Sequence, residues 1–157
     1  MSAPNAIWSA WERLSGLPAG KWAFTRLVCL KAPYFASIRP RFVELRPGHA
    51  EVRIDKRRAV TNHIGTVHAI AMCNMAELAA GVMTDITIPA THRWIPKGMT
   101  VEYLRKAETD LRAIADVIPL PAFGAAADFP VTVDVLDKAG QRVFRAVITM
   151  WVSPKKA

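Results

Sequence analysis

Residues 62–83 constrain this chain more than any other stretch. Asn62-His63-Ile64-Gly65-Thr66-Val67-His68 is a polar turn with a glycine, and from Ala69 the sequence runs uncharged and rich in Ala, Met and Leu. Glu77 is its one acid before Gly81 and Met83. These residues are good helix formers, and only the tolerated Gly81 interrupts them. The pattern predicts a helix over residues 66–83, opened by the Gly65-Thr66 turn. At about 100° per residue, Ile70, Cys73, Asn74, Glu77, Ala80 and Gly81 share one face. Met72, Met75, Ala79, Val82 and Met83 share the other. A helix apolar nearly all round is a buried one. A lone acid in it is costly unless it has a partner or a task. Glu77 is therefore either a functional group or a solvated or ion-paired residue at the helix margin.

The rest of the chain sorts around this helix. Residues 5–15 read as a short amphipathic helix: Ile7, Trp8, Trp11 and Leu14 recur at helical spacing, Asn5 is the cap, and Gly16 the stop. Residues 21–31 read as a second helix, closed by Pro33. Its Phe24, Leu27 and Val28 share one side, and the aromatics of the two helices are expected to cover a sheet edge or a pocket mouth rather than to bind a cofactor. Residues 38–45 and 50–56 form a predicted hairpin around Arg46-Pro47-Gly48-His49, and Ala50, Val52 and Ile54 alternate with charged residues as in a half-buried strand. Residues 84–98, with Pro89 and Pro96, read as an irregular linker. Three strand patterns follow at 99–106, 111–118 and around Val131, Val133 and Val135. Asp137-Lys138-Ala139-Gly140 is a hairpin signal. It leads into a nearly all-apolar strand over 143–152, expected to be central or at an interface. The apolar loop 119–127 is a candidate lining for a ligand site or a partner surface. Helices and strands in separate runs imply an α+β fold with an antiparallel sheet.

Composition sets the outer limits. At 157 residues the chain is the size of one domain. Its 52% hydrophobic content supplies a core, and its net charge of +8 favours an anionic partner. Its basic residues are scattered rather than interleaved with aromatics, which argues against nucleic acid. They fit the phosphates of a small ligand, or general solubility, equally well. Lys56-Arg57-Arg58, just before the long helix, is either a solvated loop or a phosphate contact. Cys29 and Cys73 read as buried free thiols of a reducing compartment. No residue spacing suggests a metal site. Neither a signal peptide nor a membrane span is expected, so the expected location is the cytoplasm. His49 and His92 read as surface residues in turns.

Asn62-x-x-Gly65-Thr66-x-His68, followed by a helix with one acid, resembles the active-site segment of hot-dog fold thioesterases. The likeness is greatest to the phenylacetate-pathway type and its relatives acting on acyl-coenzyme A. In that family the Asn precedes a Gly-x-x-His-Gly-Gly turn, and the helical acid lies fifteen residues after the Asn. Asn62, Gly65, His68 and Glu77 fall in that register, while Ala69-Ile70 stands where the family has Gly-Gly. The resemblance implies a single hot-dog domain over 1–157, an antiparallel sheet wrapped around one long central helix. Its core would span 38–152, and residues 1–37 would be an extra N-terminal helical extension. It implies thioester hydrolysis at a site between two subunits, in a homodimer or a dimer of dimers. The substrate would be an acyl-CoA or an acyl-carrier thioester, with no cofactor beyond the coenzyme A of the substrate itself.

In that arrangement the backbone N–H of Ala69, with His68 beside it, forms an oxyanion site at the helix N-terminus. Glu77 activates water or attacks directly, and Asn62 orients the carbonyl or the water. His68 fits a positioning role better than a catalytic one. Gly65, Thr66, Asn74, Arg57 and Arg58 are the candidate substrate contacts. Two alternatives stay open. One is a dehydratase or hydratase of the same fold, in which His63, fourteen residues before Glu77, pairs with the acid. It lacks the Phe-Pro-Gly and Met-Pro-Gly signatures that surround that pair. The other is a non-catalytic hot-dog protein that binds acyl-CoA or lipid, which the missing Gly-Gly favours.

Overall fold

The computed structural model describes residues 5–156. Its elements in order are α1 (Ala6–Leu14), α2 (Gly20–Lys31), a 3-10 turn (Pro33–Ile38), β1 (Arg41–Arg46), β2 (His49–Ile54), α3 (Ala69–Thr87), β3 (His92–Tyr103), β4 (Leu111–Asp116), β5 (Ala127–Leu136) and β6 (Arg142–Pro154). The six strands form one antiparallel sheet in the order β1-β2-β4-β5-β6-β3. α3 lies across its inner face. This is the hot-dog arrangement, with α1 and α2 packed outside the central helix.

Small residues let helix and sheet approach. Ala50, Ala113, Ala115 and Ala146 on the strands and Ala76, Ala79 and Ala80 on α3 are all fully buried. Met75, Met83, Phe144, Ile148 and Met150 fill the space between. Along β4, β5 and β6 burial alternates at the strand period, so one face of the sheet meets α3 and the other is half-exposed. The near-continuous apolar run of β6 fits its place inside the sheet, between β5 and β3. Trp11, Phe24 and Phe42 stack edge-on, at 5.0 and 5.4 Å between ring centres, and pin the first two helices to β1.

The central helix is displaced from its predicted bounds at both ends. Thr66 still belongs to the Asn62 turn and Val67 is extended: Val67 N–H donates to Ala107 O at 2.8 Å, and His68 N–H to Val60 O at 2.8 Å. The helix therefore starts at Ala69, with His68 as its cap. It then continues past Met83 to Thr87 and includes a second acid, Asp85. The predicted linker over 84–98 is thus the end of α3 and the first half of β3. Two prolines hid that strand. Pro96 is tolerated because β3 pairs only with β6, at the sheet edge, and a bulge separates Pro96 from Gly98.

α3 alone among the described residues has the length and mean hydropathy, 1.3, of a membrane-crossing helix. Its burial under the sheet accounts for that composition. Cys29 is buried, and burial pushes its thiol pKa up. Cys73 is only half-buried, contrary to expectation, because its face of α3 meets the edge strand: its Sγ lies 3.8 Å from the Tyr103 hydroxyl. That contact raises the phenol's pKa above its usual value. His49 and His92 open strands rather than sitting in turns, and both are half-buried. His49 lies 3.6 Å from both Glu44 and Asp116.

Candidate active site

The loop before α3 is organised by Asn62. Its Oδ1 accepts from the backbone N–H groups of Ile64 and Thr66, each at 3.1 Å, and its Nδ2 donates to Thr66 Oγ1 at 2.8 Å. Thr66 is buried beneath this turn, and Gly65 supplies the positive φ of +78° that closes it. Most of the hydrogen-bonding capacity of Asn62 is spent inside the loop, so its side chain shapes the entry to the helix. At that entry His68 Nδ1 accepts from Ile70 N–H at 3.0 Å, and the N–H groups of Ala71 and Met72 both reach His68 O, at 3.0 and 3.2 Å. A Nδ1 that accepts is unprotonated, which places the proton of the neutral ring on Nε2. Among the described residues, Ala69 N–H is the first-turn donor left without an acceptor.

A cleft of about 260 Å³ borders this helix start, lined by His68, Ile70, Asn74, Tyr34, Ser37 and Thr61 among others. Asn74 is 7% exposed, and its Nδ2 lies 3.3 Å from Ser37 Oγ. Its Oδ1 is buried with no partner, an arrangement that costs free energy unless something fills it. Arg57 Nη2 donates to Ser37 O at 2.7 Å. Ser37 thus ties the loop before the motif to the central helix. Nothing in the sequence singled it out, because the 3-10 turn that positions it reads only as the stop after α2. Arg57 is half-buried, whereas Arg58 stays exposed.

Glu77 lies two turns further along α3, about 12 Å from Ala69 at 1.5 Å per residue. The fold gathers Asn62, Gly65, Thr66, His68 and Ala69 at the helix N-terminus and leaves Glu77 apart from them within the one chain. Glu77 is half-buried and, among the described residues, has neither a hydrogen bond nor an ion pair. It lines a largely apolar cavity of about 500 Å³ between α1, α2, α3 and β3. Ile7, Phe24, Leu27, Phe35, Val82 and Trp94 form much of its wall. Sequence reasoning missed Trp94 and Asp85, which close one end, because it ended α3 too early and read no strand there. The apolar loop 119–127 lines neither this cavity nor the cleft. His63 is exposed, within the turn that Asn62 closes. Among the described residues, no three His, Cys, Asp or Glu side chains group as metal ligands would.

The six-stranded antiparallel sheet with one long helix across its face defines a member of the hot-dog fold class. The chain belongs to the family described as "Domain of unknown function (DUF4442)", which matches residues 20–152. It is similar to the structural-genomics protein APC5556, at 53% identity and a TM-score of 0.84, over 95% of this chain and 98% of that one. Pseudomonas aeruginosa PA5026, called a probable thioesterase, is 23% identical with a TM-score of 0.73, over 82% and 92%. A thioesterase family protein from Silicibacter pomeroyi is 19% identical with a TM-score of 0.70, over 83% and 96%. No curated protein matches.

Proposed function

We propose that the protein hydrolyses acyl thioesters, acyl-CoA foremost, at a site completed between two copies of the chain. The observation that carries this reading is Glu77: an acid without a partner among the described residues, on the wall of a largely apolar cavity, in the helix whose start offers the Ala69 N–H. The similarity to PA5026 and to the Silicibacter pomeroyi protein, both called thioesterases, supports it.

In this reading the thioester carbonyl oxygen lies against Ala69 N–H of one subunit, where the helix dipole stabilises the oxyanion. Glu77 of the other subunit takes a proton from water, and the hydroxide adds to the carbonyl carbon. The C–S bond then breaks, and the thiolate leaves with the proton that Glu77 held. Asn62 keeps the helix entrance in shape. Coenzyme A enters as part of the substrate, and Arg58 meets its phosphates. No other cofactor takes part, and the protein works in the cytoplasm, where acyl-CoA is made and consumed.

The edge strand supports the second subunit in this reading. β3 is twelve residues long, pairs on one side only, and exposes Ile95, Met99 and Tyr103. An open apolar edge of that length is a template for another strand. Two copies pairing there across a two-fold axis would bring the two central helices alongside each other.

Assaying thiol release from a panel of acyl-CoAs tests the reading. Activity that falls by roughly 10²–10⁴-fold in kcat on Glu77→Gln, with little change in KM, supports it. A wild-type protein that binds acyl-CoA without hydrolysing it is a carrier rather than an enzyme. Hydration of a crotonyl thioester would move the assignment to a dehydratase using His63.

A further inference from the structure

The cavity beside Glu77 ends at a polar partition. Trp94 Nε1 donates to Asp85 Oδ1 at 3.0 Å, and Asn5 Nδ2 donates to Asp85 O at 2.7 Å and to Oδ2 at 3.1 Å. Asn5 also caps α1, accepting from the N–H groups of Ile7 and Trp8 at 2.9 and 3.0 Å. One side chain therefore fixes the start of α1 and fastens it to α3. Gly81 lets the edge of the indole ring approach the helix closely, since a Cβ there would sit 3.0 Å from Trp94 Cη2. Beyond the partition lies a second cleft of about 480 Å³, bordered by Asn5, Asp85 and Trp94 from its other side and by Ile88, Pro89 and His92.

We propose that this cavity holds the acyl chain, and that the Asn5–Asp85–Trp94 partition limits it to a medium-length chain of about ten carbons. The inference rests on the thioesterase reading for the position of the carbonyl at Glu77. Glu77 and Asp85 lie on one face of α3 eight residues apart, about 12 Å along the axis. An extended chain advances about 1.2 Å per bond, as the backbone does at 3.3–3.6 Å per three bonds. The distance thus spans about ten carbons. At about the volume of one water per methylene, roughly 30 Å³, such a chain occupies about 300 Å³, within the 500 Å³ present. Apart from Lys31 the walls between the two acids are apolar side chains, and the far end is a hydrogen-bonded polar cluster. A longer chain would have to break that cluster or fold back. The acid at the near end suits a neutral thioester and repels the carboxylate product.

Binding of non-hydrolysable S-alkyl-CoA thioethers, C4 to C16, measured by calorimetry, tests the proposal. Affinity should rise about fourfold per methylene to about C10 and then level off. Trp94→Ala joins the cavity to the second cleft, so the rise should continue to C16 and tighten its binding at least tenfold. Ala10→Phe fills the cavity from α1 without touching the partition, and the break should fall to shorter chains. A break point that neither variant moves, or affinity independent of length, overturns the proposal. Acyl-CoA hydrolysis is measured alongside. A length-dependent affinity without hydrolysis removes the enzyme and keeps the chain site. Hydrolysis with no length dependence keeps the enzyme and removes the chain site.

Discussion

The two halves of α3 face different surroundings. The first half, from His68 to Asn74, starts from a loop whose polar groups are largely satisfied internally: Asn62 closes the turn and His68 caps the helix. Its cleft is small and partly polar; among the described residues Asn74 Oδ1 on its wall has no partner, and Ala69 N–H at the helix start has no acceptor. The second half, from Glu77 to Asp85, faces the larger apolar cavity roofed by the two N-terminal helices. Its two acids differ as well. Asp85 is held by Asn5 and Trp94, whereas Glu77 is held by nothing among the described residues. Polarity alone would rank the first half as the site. Spare capacity picks out a backbone donor and an amide oxygen in one half and a free carboxylate in the other.

That contrast can be broken at several points. The largest effect is expected at Glu77, where Glu77→Gln lowers kcat by roughly 10²–10⁴-fold, read from thiol release. Asp85→Asn keeps the shape and leaves kcat within a few-fold of wild type in the same assay. Asn62→Ala opens the loop and should lower kcat/KM by about 10²-fold, the scale of a lost oxyanion donor. Circular dichroism should show the fold retained. Asn74→Leu removes a buried acceptor without a partner. Its unfolding free energy should stay within about 1 kcal/mol of wild type, while KM rises if the spare oxygen serves substrate. Asn5→Ala loses the α1 cap and the tie to Asp85. It should cost about 1–2 kcal/mol, a fall in Tm of about 2–8 °C for a chain of this size. The smallest effect is chemical: Cys29, buried and with a raised pKa, should alkylate more slowly than half-buried Cys73, followed by mass spectrometry.

What the sequence made legible was periodic or local. The long buried helix, the alternation of β2 and the Asp137–Gly140 turn follow from patterning and turn chemistry, and Asn5 was recognisable as a cap. The start of α3 was not, because a histidine is an unusual cap and the extended Val67-His68 segment depends on partners elsewhere in the chain, Ala107 and Val60. β3 was half hidden because Pro96 breaks a strand everywhere except at an edge, and edge position is a property of the whole sheet. For the site, the residues of the motif were visible one by one. Their separation into two places on one helix, and the joining of Asn5, Asp85 and Trp94 from three elements, were not. Those contacts span up to 80 residues of sequence.

The central claim is that Glu77 of one subunit works with the helix entrance of the other. Subunit mixing tests it most directly. Glu77→Gln and Asn62→Ala proteins are each purified, unfolded, mixed in equal amounts and refolded, and acyl-CoA hydrolysis is compared with each alone. In a shared-site dimer, half of the molecules are hybrids and each hybrid has one intact site. Activity should therefore return to about a quarter of wild type. If both residues serve the same subunit, no hybrid holds an intact site. Activity that stays at the level of the separate variants, with hybrid dimers shown by native mass spectrometry, would contradict the account.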